Sequence, residues 1–260
     1  MIYIKNVSFY YHKDKWIISN LSLKIATGTW NIIAGPEGSG KSTLAKLIKG
    51  MLKPQNGEVV FKSENVVGSD KVGYISGSDL GSVVGVTVLD DICFEMENLR
   101  VARSEMQARA KDALDWTELQ GFEGRLTHTL SGGELQKLCL ASVLASGAKI
   151  LILDEAFSML DVAAKRHIRT LISSLKEKLG LTIIEITNQA RDIAFADMVI
   201  FLISGEEVHI FNSPDHFFSS GYAMRWTIPQ GGAQSLLISI PDNDRSSIKM
   251  LLNSLNITFG

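Results

Sequence analysis

The stretch GPEGSGKST at residues 35–43 decides the fold of this chain of 260 residues. It fits the pattern G-x-x-x-x-G-K-[ST]; an apolar segment, Trp30 to Ile33, precedes it and a helical stretch, TLAKLIKGML, follows it. Strand, glycine-rich loop and helix in this order are the context in which the pattern marks a phosphate-binding loop. The stretch therefore predicts an α/β domain. The alternative is a glycine-rich turn before an ordinary helix.

Each residue type in this phosphate-binding loop (P-loop) has a chemical reason. Glycines let consecutive backbone N–H groups turn inward around an anion, and the following helix adds its positive N-terminal end. Lys41 is predicted to neutralise the β- and γ-phosphates, and Ser42 to place its hydroxyl on Mg²⁺. The predicted nucleotide-binding residues of the loop are Gly35, Pro36, Glu37, Gly38, Ser39, Gly40, Lys41, Ser42 and Thr43.

A second apolar segment, ILILDE at residues 150–155, ends in two carboxylates. A fully buried strand places such acids at its carboxyl end, where parallel sheets bind their ligands. Asp154 is then suited to hold Mg²⁺ through water, and Glu155 to polarise an attacking water. The alternative is a strand that meets a helix whose N-terminus favours acidic residues. The P-loop upstream favours the metal and water roles.

The segment Leu130-Ser131-Gly132-Gly133-Glu134 opens a third stretch of interest, the helix LQKLCLASVLA. Ser131 and the N–H groups of the two glycines stand at a positive helix terminus, which predicts a second phosphate-binding surface. Taken alone, SGGE is also an ordinary serine N-cap with flexible neighbours. Its position between the P-loop and the acidic strand favours the phosphate site.

Composition and charge exclude several classes of protein. A hydrophobic fraction of 45% is ample for a core, and a net charge of -2 lacks the positive field that holds nucleic acid, so no nucleic-acid partner is expected. Cys93 and Cys139 lie in apolar runs and are expected to be free thiols, which fits a reducing cytosol. No signal peptide is expected, and the longest apolar runs fall short of the ~20 residues that span a bilayer. Other chains must then supply any membrane spans.

The remaining pattern predicts the order of the elements. Residues 1–25 alternate in two segments, IYIKNVSFYY and WIISNLSLKI, which predicts an antiparallel sheet with one wet face. Helical periodicity over 87–119 and 131–145 predicts a separate helical lobe. KILILDE and LTIIEIT flank the helix AAKRHIRTLISSLKEKLG and predict a βαβ unit with a parallel sheet. Beyond about Gly221, one strand, SLLISI, and one helix, DRSSIKMLLNSL, are predicted.

The order of P-loop, LSGGE, ILILDE and then SMLD at 158–161 resembles the ABC ATPase superfamily over residues 1–215. Within it, VGVTVLDDICFEMENL and SPDHFF resemble the energy-coupling-factor and cobalt-type importer ATPases. The resemblance implies a P-loop NTPase core with a parallel sheet, an N-terminal antiparallel β subdomain and an inserted helical lobe at about 85–145. It leaves 216–260 as a C-terminal extension whose role the sequence does not define.

The resemblance also implies a mechanism. ATP and Mg²⁺ are the expected cofactors, and a head-to-tail dimer with a second ABC ATPase subunit encloses each ATP between one chain's P-loop and the other chain's LSGGE. Hydrolysis lets the dimer open, and the cycle drives integral membrane transporter subunits. The protein is therefore expected to be peripheral, at the cytoplasmic face of the cell membrane.

Further family positions are assigned one at a time. In VSFYY, Tyr11 occupies the place of the aromatic residue that stacks on adenine, with Tyr10 as the alternative if the strand register shifts by one. Asp161 matches the aspartate that reaches across the dimer. Ala156 and Phe157 stand where the family usually has Pro-Thr, which is expected to alter the packing behind Glu155 more than the chemistry.

Two family positions lack their usual side chain. Gly77 stands where the family has a glutamine that senses Mg²⁺ and the lytic water, and Asn188 where it has a histidine that contacts the γ-phosphate. Asparagine can hydrogen-bond, but it cannot carry a positive charge at neutral pH. The alternative is a shifted loop in which a neighbouring residue substitutes, such as Ser76, Ser78 or Gln189.

Two hypotheses for the function stay open. In the first, the chain is an active ATPase subunit in which Glu155 suffices at its own P-loop. In the second, it is a largely silent nucleotide-binding subunit that lends Ser131 to a competent site on a different subunit. A heterodimer is expected, with a homodimer as the alternative. Soluble ABC proteins of DNA repair are disfavoured because residues 44–129 leave no room for a long coiled coil, and translation-type members because they carry two cassettes.

Overall fold

The computed structural model describes residues 1–13, 15–62, 71–77 and 83–227. The chain divides into two compact units, each of which is described by itself. Unit 1 contains Met1, Ala26–Gly28 and Phe61–Ile183, and unit 2 contains Ile2–Ile25, Thr29–Val60 and the chain from Ile184 onward. In the described residues no helix is both long and apolar enough to cross a membrane.

In unit 2 the N-terminal strands pair as the alternating pattern predicts. β1 (Ile2–Phe9) runs antiparallel to β2 (Ile18–Ile25), from the pair Ile2 and Ile25 to the pair Phe9 and Ile18. β4 (Asn56–Phe61) joins the other edge of β1. The buried side chains of the two strands are mostly apolar and the exposed ones are polar, which confirms the antiparallel sheet with one wet face. Ser8 is also buried, and a register irregularity interrupts the alternation of β1 between Ile4 and Val7.

The strand that leads into the P-loop is fully buried. β3 (Trp30–Ala34) pairs in parallel with β8 (Met198–Leu202), and β9 (Val208–Phe211) adds to β8 in the antiparallel direction. α1 (Lys41–Lys49) follows the loop, and its apolar side chains Leu44, Leu47 and Ile48 are buried. Strand, loop and helix therefore stand in the predicted order, and the α/β class is confirmed.

The last described part of unit 2 is helical. A 3₁₀ helix (Ala190–Phe195) precedes β8, and α6 (Pro214–Phe218) and α7 (Gly221–Thr227) follow β9. Phe217 is fully buried, and its ring centre lies 5.3 Å from those of Phe201 and Phe211. α6 runs across the predicted division between 215 and 216, and that division stays a prediction. The strand SLLISI and the helix after Asp244 lie outside the described residues.

In unit 1, β5 (Val72–Ser76) runs parallel to β6 (Ile150–Asp154), with Ser76 beside Asp154. α5 (Val162–Leu179) follows β6, and β7 (Thr182–Thr187) follows α5 and contains the division between the units. The elements of the predicted βαβ unit are therefore present in the predicted order.

Three helices of unit 1 share one apolar core. They are α2 (Val88–Asn98), α3 (Arg103–Trp116) and α4 (Gly132–Ala145), and a 3₁₀ helix (Thr127–Thr129) precedes α4. The buried members of the core are Val88, Ile92, Met96, Ala110, Ala113, Leu114, Leu119, Leu138, Ala141 and Ala145. The helices predicted over 87–119 and 131–145 are confirmed, while their status as an inserted lobe stays a prediction.

Candidate functional site

The P-loop of unit 2 needs glycine where it leaves β3. Gly35 has a φ of 145°, and a Cβ at this position would lie 2.1 Å from the Leu202 carbonyl oxygen. Only a residue without a side chain permits this close approach of two backbones. The loop therefore begins in contact with the end of β8, and the need for glycine at position 35 has a steric cause.

The polar groups of the loop are prepared for an anion. Lys41 is only 6% exposed, and its Nζ donates to the carbonyl oxygens of Gly35 at 2.9 Å and Pro36 at 2.7 Å. The Ser39 hydroxyl is buried and has no hydrogen-bond partner among the described residues. α1 begins at Lys41 without a side-chain cap, so its positive end is open to a ligand. These residues fit a polyphosphate, which supplies acceptor oxygens to each of these donors.

Of the two candidate adenine-stacking residues, Tyr11 is the one that contacts the P-loop. Its hydroxyl lies 3.3 Å from Thr43 Oγ1, and the residue is 52% exposed. The Tyr10 ring instead packs edge-on against the Trp16 ring, with centres 4.9 Å apart. These contacts support Tyr11 over Tyr10 as the base-stacking residue, which stays a prediction.

The segment after β7 contains Asn188, which the family resemblance places at the position of a histidine. Gln189 follows it, and its side-chain oxygen accepts from Arg191 Nε at 2.9 Å and Nη2 at 2.6 Å. Thr187 donates to Asp192 at 2.6 Å, which closes the turn. Arg191 therefore holds the Gln189 side chain by its oxygen, and the substitution of Gln189 for the histidine stays a prediction.

In unit 1 the buried carboxylate Asp154 has a hydrogen-bond partner that no local sequence motif indicates. The Tyr74 hydroxyl donates to Asp154 Oδ2 at 2.5 Å. Tyr74 lies two residues before Ser76 on β5, and Ser76 is the register neighbour of Asp154. The period of two along a strand, combined with parallel pairing, is the signal that places Tyr74 near this acid. The carboxylate oxygens of Asp154 suit Mg²⁺, a hard cation, and this metal role stays a prediction.

Glu155 follows Asp154 in an unusual backbone conformation. Its φ of 51° lies in the left-handed region, and its side chain is exposed. The turn is fixed by two hydrogen bonds: Ser158 N donates to the Glu155 carbonyl at 3.0 Å, and Gln136 Nε2 donates to the Ala156 carbonyl. Phe157, at the departure from Pro-Thr, is buried with the Arg169 guanidinium 5.5 Å from its ring centre. The turn therefore holds the Glu155 carboxylate in water at the end of β6.

The backbone at Gly77 packs against this turn. A Cβ at Gly77 would lie 2.3 Å from the Glu155 carbonyl oxygen and 2.8 Å from Ser158 Oγ. A glutamine side chain therefore has no room at position 77 in this arrangement. The lack of a side chain allows the backbone of Gly77 to pack closely on the backbone of Glu155. Of the proposed substitutes, Ser76 lies at the end of β5 and Ser78 lies outside the described residues.

The contact predicts a stability effect of substitution at Gly77. Gly77→Ala is expected to lower the free energy of unfolding by about 1–3 kcal/mol, because the added methyl group overlaps the backbone of Glu155. Thermal unfolding measures the change, with Gly124→Ala as the control, since a Cβ at Gly124 meets nothing within 4 Å. Equal midpoints for the two variants would contradict the packing. Gly77→Gln is likewise expected to lower stability and to leave ATP turnover no higher.

The signature segment LSGGE forms a complete N-terminal cap. Ser131 Oγ accepts from Glu134 N at 3.3 Å, and Ser131 N donates to Glu134 Oε2 at 2.7 Å. Glu134 also binds Arg125 at 2.7 Å. The Ser131 backbone N–H and hydroxyl, and then the Arg125 guanidinium, hold the pKa of Glu134 below its usual range. Ser131 and Gly132 are exposed, as a surface that contacts a second subunit requires.

Asp161 also caps a helix. Its side chain accepts from Ala164 N at 2.8 Å at the start of α5. Met159 and Val162, on either side of this position, are large exposed hydrophobic residues. Exposed apolar side chains beside a polar cap are typical of a surface that contacts another chain.

A further exposed apolar surface lies on α2 and on the segment that precedes it. We call it the α2 patch; its exposed apolar residues are Val84, Val86, Leu89 and Phe94. It borders a hollow of about 160 Å³ lined by Tyr74, Ser76, Val83, Glu95 and Ser142, among others. Asp91 fixes the segment, since its Oδ1 accepts from Val84 N at 2.9 Å and Gly85 N at 3.1 Å while Ser142 on α4 donates to its Oδ2 at 3.0 Å.

This chain is similar to known proteins in both sequence and fold. A family profile described as "ABC transporter" matches residues 18–158. The energy-coupling factor transporter ATP-binding protein EcfA1 of Oceanobacillus iheyensis is 39% identical over 213 residues, which cover 79% of this chain and 76% of the relative. The protein of the same name from Fusobacterium nucleatum is also 39% identical over 213 residues, 79% of this chain and 80% of the relative.

Solved structures agree with this similarity. CbiO1 from Clostridium perfringens, described as part of the ABC transporter complex CbiONQ, superposes with a TM-score of 0.76 at 24% identity, covering 92% of this chain and 98% of that chain. MJ0796, described as a dimeric bacterial ABC transporter cassette, superposes with a TM-score of 0.68 at 27% identity, covering 82% of this chain and 98% of the other.

Proposed function

Because this chain belongs to the ABC transporter ATPase family, we propose that it binds Mg-ATP in a dimer with a second ATPase subunit. Its ATP hydrolysis is coupled to transport, and it is the ATP-binding subunit of an importer of the energy-coupling-factor type. In the proposed dimer the P-loop of each chain and the signature LSGGE of the other enclose one nucleotide. The chain is peripheral, on the cytoplasmic face of the membrane, where integral membrane subunits hold it.

The observation that carries the proposal is the P-loop. Lys41 is buried, and its Nζ donates to the backbone carbonyl oxygens of Gly35 and Pro36, neutral acceptors that a phosphate oxygen can replace. Ser39 presents a buried hydroxyl, and Gly35 allows the loop backbone to pass close to the Leu202 carbonyl. A polyphosphate offers these donors charged acceptors, and such hydrogen bonds are about twice as strong as neutral ones.

The roles of the other residues follow from their chemistry. Tyr11 stacks on adenine, and Ser42 and Asp154 hold Mg²⁺, which neutralises phosphate charge when bound. Glu155 polarises the attacking water from its exposed position at the end of β6. Asp161 contacts the second subunit. Leu130, Ser131, Gly132, Gly133 and Glu134 form the surface that meets the partner's ATP.

A second candidate function is a largely silent subunit that supplies its signature to an active partner. The packing of Gly77 against Glu155 favours it, since a glutamine cannot enter the site there without moving the turn. Asn188 favours it as well, because no imidazole is present to contact the γ-phosphate. We therefore propose a heterodimer in which most hydrolysis occurs at the site that uses Ser131 of this chain.

We propose that the α2 patch is the docking surface for the membrane subunit. This proposal can be tested by comparing transport with ATP binding in variants of the patch. Val86 is 68% exposed and Phe94 43% exposed, and burying a charge there against an apolar partner is unfavourable. Val86→Glu and Phe94→Glu are expected to reduce transport about tenfold or more while ATP affinity changes less than about twofold. Uptake into vesicles and ATP titration measure the two quantities.

The control variant is Met51→Glu. Met51 is an apolar residue outside the α2 patch, and it is 57% exposed. It is expected to leave both transport and ATP affinity unchanged. Cross-links between the chain and its membrane subunit should map to the 85–98 segment. If they map only to residues 222–260, or if the patch variants transport normally, the docking assignment is wrong.

A further inference from the structure

A salt bridge joins Arg125 to Glu134, the last residue of the signature LSGGE. Arg125 lies before α4, and its Nη1 donates to Glu134 Oε1 at 2.7 Å. Its Nη2 donates to the Thr129 carbonyl at 3.1 Å, and the guanidinium carbon lies 4.7 Å from the centre of the Phe122 ring. Three separate contacts therefore fix the guanidinium group beside the first turn of α4.

Glu134 has two opposite electrostatic effects at this helix end. Its Oε2 accepts from Ser131 N at 2.7 Å, and a carboxylate in the first turn stabilises the helix. In the proposed function, however, the same helix end binds the phosphates of the partner's ATP. A carboxylate charge close to this surface repels an anion, and the repulsion weakens only with distance and screening.

We propose that Arg125 is a positioning residue of the signature, which neutralises Glu134 and holds its carboxylate against Ser131 N. The positive end of α4 then keeps its attraction for the γ-phosphate in the partner's site. The inference rests on the proposed function, since it concerns the same ATP site. Arg125 acts through Glu134 and needs no contact of its own with ATP.

The test uses the transporter complex purified through a tag on this chain, with Mg-ATP as the probe. Arg125→Met is expected to raise the KM of ATP hydrolysis about three- to tenfold, because an unpaired carboxylate then stands at the phosphate surface. Added salt is expected to reduce the difference in KM between Arg125→Met and the wild type, because salt screens the repulsion between Glu134 and the phosphates. Methionine keeps an apolar stem against Phe122, which limits the change in packing.

Two further variants separate charge from structure. Arg109→Met is the matched control, because Arg109 forms a similar bridge to Glu105 at 2.7 Å on the surface of α3, and its KM is expected to equal that of the wild type. Adding Glu134→Gln to Arg125→Met is expected to return KM to within about twofold of Glu134→Gln alone, since no negative charge remains to be neutralised. A purely structural role of Arg125 predicts no such rescue.

The results that overturn the inference are distinct from those that overturn the function. An unchanged KM in Arg125→Met, a failure of Glu134→Gln to relieve the defect, or loss of ATP binding at the chain's own P-loop in Arg125→Met would each refute the role of Arg125. A wild-type complex that hydrolyses no ATP would instead refute the proposed function.

Discussion

Lys41→Ala is expected to weaken the binding of Mg-ATP by about 10²–10⁴-fold, which abolishes binding at ordinary nucleotide concentrations. The Lys41 ammonium is buried beside the P-loop carbonyls and opposes the β- and γ-phosphates once ATP is bound. Each charge-assisted hydrogen bond contributes about 1.5–3 kcal/mol, and two of them account for the expected range. Alanine supplies neither the charge nor the donors.

Isothermal titration of the purified chain with Mg-ATP measures this effect. Lys46→Ala is the matched control, because Lys46 lies on the same helix in its last turn and outside the loop. Its affinity is expected to equal that of the wild type, and circular dichroism checks that both variants are folded. Unchanged affinity in Lys41→Ala would end the assignment of residues 35–43 as a nucleotide site.

The parts of the fold that the sequence predicted are those specified by local patterns. The P-loop pattern spans nine consecutive residues, and its glycines and lysine have conformational and chemical roles that hardly depend on the rest of the chain. The cap at Ser131 is also local, since Glu134 lies three residues away. The alternation in β2 specified one buried face, which is the face observed, whereas register irregularities interrupt the alternation in β1.

The parts that the sequence could not predict depend on contacts between distant residues. The hydrogen bond from Tyr74 joins it to Asp154, 80 residues away, and only the register of β5 and β6 brings them together. The packing of Gly77 on Glu155 depends on the same register. The helix α7 was missed because it has only seven residues, and its Trp226 ring is anchored 5.6 Å from the centre of the Phe201 ring.

The two composite ATP sites of the proposed heterodimer should differ in activity. We propose that the site at this chain's P-loop uses Lys41, Ser42, Asp154 and Glu155, and that it lacks the glutamine and histidine which the family resemblance implies at positions 77 and 188. The opposite site takes Ser131, Gly132 and Gly133 from this chain and everything else from the partner, whose sensor residues we expect to be intact. Loss of one positioned contact typically costs about 10²–10³-fold in rate, so two losses outweigh the retained Glu155.

In the assembled transporter, Glu155→Gln is therefore expected to leave most of the ATPase activity, whereas Ser131→Arg is expected to remove it. The arginine places a bulky side chain where the partner's phosphates must approach, and it also removes the hydroxyl that caps α4. Ser174→Arg, an exposed serine on α5, is the control for the same change elsewhere and is expected to be fully active. All three variants are expected to bind ATP at the P-loop as the wild type does. Preserved binding shows that a loss of ATPase activity is not caused by unfolding. If Glu155→Gln silences turnover as fully as Ser131→Arg, or if the purified chain alone forms an active homodimer, both sites are equivalent and the asymmetric assignment is wrong.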